Sequence, residues 1–136
     1  MAAATPARGR CDELSQRHLI FVYGTLRKGY QNHYLLAEAG DLGSARTVAL
    51  YALYLDDYPY LVKGHSVCRI VGELYAVDDA GLAKLDLLEE HPVWYRREMV
   101  PVEDQRGQVL DAWIYFFPKP KGRLLVSGDL REAGDY

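Results

Sequence analysis

Apolar positions along this chain fall into short runs cut by glycine, proline and acidic residues. The run LIFVY at 19–23 is continuous and built of β-favouring residues, which predicts a strand buried on both faces. It stops at Gly24-Thr25, so a turn follows the strand directly. In YQNHYLLAEAG, residues 30–40, apolar side chains at 34, 35, 36, 37 and 39 precede a terminal glycine and predict a short helix. Residues 44–55, rich in Val, Leu, Tyr and Thr, predict a strand that Asp56, Asp57 and Pro59 close into a turn. A further turn at 63–66 leads into VCRIVGELYAV, residues 67–77, where Val67, Arg69 and Val71 alternate with Cys68, Ile70 and Gly72 as in a second strong strand.

Asp78 then reads as a helix N-cap, and Asp79 falls in the positive first turn of a helix carrying Leu82, Leu85 and Leu88 on one face. That helix is expected to end near residues 89–91, because Pro92 disfavours helical geometry at the residue before it. Residues 94–103 and 108–117 predict two strands joined as a hairpin through Asp104-Gln105-Arg106-Gly107, and Pro118 and Pro120 end the sheet. The closing segment to Tyr136 has few apolar residues and is expected to wrap the surface. Short strands in succession with two interposed helices predict an α+β fold whose small mixed sheet curls toward a barrel. A doubly wound sheet would need more regular alternation.

Composition narrows the classes. At 136 residues, 49% hydrophobic and 26% charged, the sequence is that of a single globular domain, expected over 18–136 behind a mobile polar leader at 1–17. A net charge of -3 argues against nucleic acid as a partner, and no apolar stretch approaches the roughly twenty residues of a membrane span. The leader lacks an apolar core and carries Asp12 and Glu13, unlike a targeting peptide. Cys11 and Cys68 form neither a disulfide framework nor a metal spacing, so a reducing, cytoplasmic setting is expected. His18, His33, His65 and His91 share no ligand spacing, and no metal or other cofactor is expected.

Two places remain where chemistry could sit. In HLIFVYGTLRKG, residues 18–29, glycine after a buried strand permits close approach of a ligand, and consecutive N–H groups of such a turn can converge on an anion. Arg27 and Lys28 are expected to add positive potential there. The sequence has neither the Gly-Lys-Ser/Thr ending of a P-loop nor the spaced glycines of a dinucleotide fingerprint. In LDLLEEHPVWYRR, residues 85–97, Glu89 and Glu90 fall at the negative end of a predicted helix among Leu85, Leu88, Pro92 and Trp94. Whichever of the two is buried has its protonated form favoured and its pKa raised toward a range useful for proton transfer, whereas two exposed glutamates would be ordinary surface carboxylates. Ser44, Ser66 and Ser127 lie in no nucleophile-elbow pattern, and Cys68 has no activating neighbour, so covalent catalysis lacks a nucleophile. Eleven tyrosines supply rings and hydroxyls either for a pocket wall or for a β-rich core.

With FVYGTLRKGYQNHYLL at 21–36, VGELYAVD at 71–78 and LDLLEEHPVWYRR taken in that order, the chain resembles the γ-glutamylcyclotransferase-like superfamily from about residue 19 to residue 117. It is most similar to the branch of γ-glutamylamine cyclotransferases and plant avirulence-induced-gene-like proteins. The resemblance implies a small mixed barrel flanked by helices and a small γ-glutamyl substrate. On it, Tyr23, Gly24, Thr25 and Leu26 match the turn whose amides hold a substrate α-carboxylate, Glu89 matches the catalytic acid/base, and Glu90 falls where the family requires no acid. Tyr95 and Tyr115 match family tyrosines in position and line the pocket or belong to the core. The implied reaction releases 5-oxoproline and a free amine. The ending SGDLREAGDY departs from the animal γ-glutamylamine enzymes and leaves the identity of that amine open. A binding module of the same fold that holds a metabolite without turning it over is the alternative.

Overall fold

The computed structural model describes residues 17–133. Five strands close a barrel in the order β1-β5-β2-β6-β7, formed by β1 (His18–Val22), β2 (Gly40–Thr47), β5 (Val71–Val77), β6 (Arg96–Asp104) and β7 (Val109–Phe116). The seam is a parallel contact of β1 with β7 at Ile20 and Trp113, while β1 and β5 run antiparallel with Phe21 opposite Leu74 and Val22 opposite Glu73. A second sheet has the order β4-β3-β8, from β3 (Ala52–Leu55), β4 (Pro59–Val62) and β8 (Arg123–Leu124). Helix α1 (Asp79–Glu89) follows β5, and short 3-10 helices lie at His33–Leu36 and Leu130–Ala133. The expected α+β fold with a barrel-like sheet is the one observed.

The continuous apolar run of β1 has a direct cause: both of its faces meet a core. Phe21 packs with Leu74, Ala45, Val102 and Ile114, one side chain from each of the other barrel strands, and so fills the interior. Ile20 and Val22 face the opposite way and join Leu82 and Leu85 of α1, whose spacing puts them on one helix face. Asp78 caps α1 by accepting a hydrogen bond from the Gly81 amide at 2.7 Å, as its position suggested. At the other end Glu90 takes a left-handed conformation with φ of 54°, and its amide returns to the carbonyls of Asp86 and Leu87. The helix therefore stops with Glu89 as its last residue, and the His91–Pro92 peptide that follows is cis.

Several expectations need correction. Residues 30–40 hold only one 3-10 turn, and Gly40 already begins β2, because the apolar positions from 34 to 39 cluster without a helical stripe; Leu36 is buried while Tyr34 is exposed. The strand expected over 44–55 is two strands in different sheets, separated by the exposed stretch 48–50. Pro59 does not close a strand but opens β4, an edge position where a residue without an N–H is tolerated. The strand expected over 67–77 is shorter, since its first residues make only an isolated bridge between Cys68 and Tyr51. The closing segment does more than wrap the surface: Leu125 and Leu130 are buried in the barrel core. Part of the expected leader, residues 1–16, lies outside the described residues. Among the described residues no helix is long and apolar enough to cross a membrane, and no cluster of three potential metal ligands occurs.

Candidate active site

The 23–26 turn leaves β1 at the rim of the barrel and meets the C-terminal end of α1 across a cavity of about 290 Å³. Its lining includes Tyr23, Gly24, Thr25, Leu26, Glu89, Tyr95 and Tyr115, so the residues that the family resemblance matched to site positions border one space. These side chains are far apart along the chain, and the barrel is what assembles them. β1 supplies the turn, α1 supplies Glu89, and the chain leaving the helix supplies Tyr95, while Tyr115 comes from β7.

The turn is held by its carbonyls. The Arg27 amide donates to the Gly24 carbonyl at 3.0 Å and the Asn32 amide to that of Thr25 at 2.9 Å, while His33 Nδ1 lies 2.9 Å from the Leu26 carbonyl. Asn32 Nδ2 also donates to the Thr25 hydroxyl at 2.8 Å. With the carbonyls committed to the loop, the Thr25 and Leu26 amides meet no acceptor among the described residues. Such amides can serve an anionic ligand without any side-chain cation. That matters, because the expected contribution of Arg27 and Lys28 is absent. Arg27 is buried and spent on Glu73 at 3.3 Å and on Asp129 at 2.8 Å, and Lys28 pairs with Asp41. Glu73 further accepts from the Lys28 amide, the Tyr75 hydroxyl and Arg131, which tie the loop and the C-terminal segment to β5. Burial alone would raise the pKa of Glu73, but these donors outweigh it and hold the carboxyl below its ordinary value.

Gly24 is needed for space, not for an unusual backbone, since its φ is not among the positive values. A Cβ there would lie 3.0 Å from Cγ of Pro59, the wall residue opposite. Gly24→Ala is therefore expected to overpack this wall and destabilise the protein by about 1–3 kcal/mol, read as a lower urea midpoint at unchanged slope. A midpoint equal to the parent's would show that the contact relaxes freely.

The carboxylate is distinguished by its surroundings. Burial pushes the Glu89 carboxyl up from 4.5 to about 7, whereas Glu90 is exposed on the same border. Around Glu89 the tyrosine hydroxyls are fixed by hydrogen bonds. Tyr23 donates to the Tyr115 carbonyl at 2.7 Å, Tyr95 to the Pro59 carbonyl at 2.8 Å, and Tyr115 to Asp86 Oδ1 at 2.7 Å. Burial, with the nearby charge of Glu89 as a lesser cause, raises the Tyr23 hydroxyl well above its usual range; burial and Asp86 do the same for Tyr115. Asp86 is itself held in a bidentate pair by Arg97 at 2.8 and 3.0 Å, which locks α1 to β6. The Tyr23 and Tyr115 hydroxyls shape the wall and stay protonated.

Gln31, Asn32, Tyr58, Pro59 and Trp94 also border the cavity and were not among the expected site residues. Asn32 carried a usable signal, a side-chain amide seven positions beyond a turn threonine. Tyr58 and Pro59 carried none, because the β4 edge that presents them is a tertiary placement.

Comparison with known proteins agrees with this geometry. The model of the family described as gamma-glutamyl cyclotransferase, AIG2-like matches residues 20–136. A Vibrio cholerae protein provisionally named a gamma-glutamylcyclotransferase is 46% identical over 83% of this chain and 95% of its own length. A similarly named protein of Methanocaldococcus jannaschii is 41% identical over the same shares. Gamma-glutamylaminecyclotransferase B of Danio rerio is 36% identical over 71% of this chain and 58% of its own. The crystal structure of an uncharacterized Pyrococcus horikoshii protein superposes with a TM-score of 0.70 at 34% identity, covering 85% of this chain and 92% of that one. A mouse AIG2-like protein superposes with the same score at 28% identity, over 74% and 77%. A barrel whose rim joins a glycine turn to a half-buried helix-end glutamate, matched through nearly the whole domain by these relatives, belongs to the gamma-glutamyl cyclotransferase, AIG2-like family of enzymes.

Proposed function

We propose that this protein closes the γ-glutamyl group of a γ-glutamyl amine into 5-oxoproline. The substrate's α-amine attacks its own γ-carbonyl carbon, a C–N bond forms within a five-membered lactam, and the bond to the departing amine breaks. The protein supplies no nucleophile and needs no cofactor for this. Holding the amine against the carbonyl is worth about 7 kcal/mol or more in favourable intramolecular cases. The amides of the 23–26 turn grip the α-carboxylate and set that curl, and Tyr95 and Tyr115 wall the chain.

The α-ammonium gives up two protons on becoming the lactam N–H, and the departing nitrogen gains two on leaving as an ammonium. Glu89 takes each in turn and passes it on to the departing nitrogen, so protons balance over the cycle and water enters no covalent step. The observation that carries this reading is a half-buried carboxyl, pushed up to about 7 by desolvation, on the same cavity as the anion-suited turn. The lyase or acyltransferase character follows from the intramolecular displacement. The test is to incubate the protein with a γ-glutamyl alkylamine and follow 5-oxoproline and free amine together. Stoichiometric release of both is expected, whereas binding without release would make the domain a metabolite carrier.

A further inference from the structure

Arg27, Glu73, Asp129 and Arg131 form a charged cluster behind the 23–26 turn, and none of the four borders the cavity. Arg27 Nε and Arg131 Nη2 converge on the same oxygen of buried Glu73, at 3.3 and 3.2 Å. One carboxylate cannot balance two guanidinium groups. Asp129 supplies the second negative charge, accepting from Arg27 Nη1 at 2.8 Å and from the Arg131 amide at 3.0 Å. The same groups fix Lys28 by both of its backbone polar atoms: its amide donates to Glu73 at 3.0 Å, and its carbonyl accepts from Arg131 Nη2 at 2.6 Å. The Arg131 guanidinium also lies over the Tyr30 ring, 5.3 Å from its centroid. The Val71 amide, donating to the Gly128 carbonyl at 2.9 Å, seats this closing segment against the start of β5.

Resting on the cyclotransferase reading, in which the turn amides grip the α-carboxylate, we infer that residues 128–131 are a clasp that sets where those amides stand, with Asp129 and Arg131 as positioning residues for substrate binding. The coupling runs through Arg27. Its amide closes the turn on the Gly24 carbonyl at 3.0 Å, and its side chain is anchored to Glu73 and Asp129. A turn that offers backbone amides has no long side chain with which to follow a misplaced ligand, so its donors must already stand where the carboxylate arrives. Without the charge of Asp129, two guanidinium groups face one buried carboxylate, and their repulsion displaces residue 27 together with the Thr25 and Leu26 amides. The clasp acts without touching the substrate or Glu89. It therefore governs how tightly the γ-glutamyl head is held and leaves the proton transfers as they are.

The test uses the full chain with γ-glutamyl-n-butylamine as substrate and 5-oxoproline as a competing ligand. Asp129→Asn, nearly the same shape without the charge, is expected to raise KM and the 5-oxoproline inhibition constant together by about fivefold or more. Its kcat should stay within about twofold of the parent's, and the rise of kcat/KM through about pH 7 should not move. Arg131, whose side chain is 45% exposed, offers a milder second variant: Arg131→Met leaves both Arg27 pairs in place and should raise the two constants about threefold. Arg131→Lys, which returns a cation to Glu73, should recover part of that loss. Neither constant depends on how much of a preparation is folded, so lost stability alone does not shift it. Glu98→Gln is the control, because it breaks a pair with Lys63 that shares no residue with the clasp, and its KM should equal the parent's. Unchanged constants in both the Asp129 and Arg131 variants, a fall in kcat alone, or an equal rise in Glu98→Gln overturns the clasp while leaving the cyclotransferase standing. No 5-oxoproline from the parent overturns the cyclotransferase reading and this inference with it.

Discussion

Glu89→Gln is expected to lower 5-oxoproline release by about a hundredfold to ten-thousandfold, the usual worth of one positioned acid/base, while leaving the protein better folded in mild alkali. Both halves come from one fact, the burial that raises this carboxyl from 4.5 to about 7. For catalysis, the proton acceptor is the ionised form, so kcat/KM should climb as pH rises through about 7, and the amide variant should lack that limb. For stability, the folded state binds the Glu89 proton more tightly than the unfolded chain does. This contribution is fully present below about 4.5 and is lost as pH rises through about 7. Discounted for partial solvent access, the loss between pH 5 and pH 8 is on the order of 1–3 kcal/mol. Glutamine has the same shape and no proton to lose, so urea melts should show the variant overtaking the parent near pH 8. Parent-like turnover by the glutamine variant would remove Glu89 from the chemistry; a parent-like pH dependence of its stability would mean that the carboxyl is not desolvated.

What the sequence made legible follows the range of the forces involved. β1, the end of β5, the caps of α1 and the 104–107 hairpin turn are fixed by neighbours a few positions away, and all lie where the local pattern puts them. Glu89 was readable as a candidate because Pro92 fixes where the helix stops. Choosing it over Glu90 needed either family resemblance or the tertiary wall that half-buries one and leaves the other exposed. The errors occur where partners are remote. Arg27 looked like a free cation beside the turn, but Glu73 and Asp129 neutralise it from 46 and 102 positions away. Residues 44–55 looked continuous because β propensity does not report which sheet a strand joins. Leu125 and Leu130 sit in a polar segment whose burial is decided by the barrel they close.

Gly72→Ala is expected to prevent the barrel from closing. A Cβ at Gly72 would lie 2.1 Å from the Val22 carbonyl oxygen and 2.8 Å from Cζ of Phe21. Neither neighbour can yield cheaply: the first is backbone of β1, and the second is a ring 1% exposed in the barrel interior. The only relief is to spread β1 from β5, which breaks the pairing of Val22 with Glu73. That pairing also aims the site, since Val22 leads into the Tyr23-Gly24 turn and Glu73 receives the Lys28 amide at 3.0 Å. The cost should exceed about 4 kcal/mol, enough to exhaust much of the stability of a domain this size. Gly64→Ala is the contrasting change, because its Cβ would meet nothing within 4 Å although its φ is +95°. Backbone strain alone then acts, and about 1–2 kcal/mol is expected. Circular dichroism and urea melts on both variants separate the two costs. If Gly72→Ala melts as close to the parent as Gly64→Ala does, β1 and β5 are not pressed together as described, and the placement of the turn opposite Glu89 loses its mechanical support.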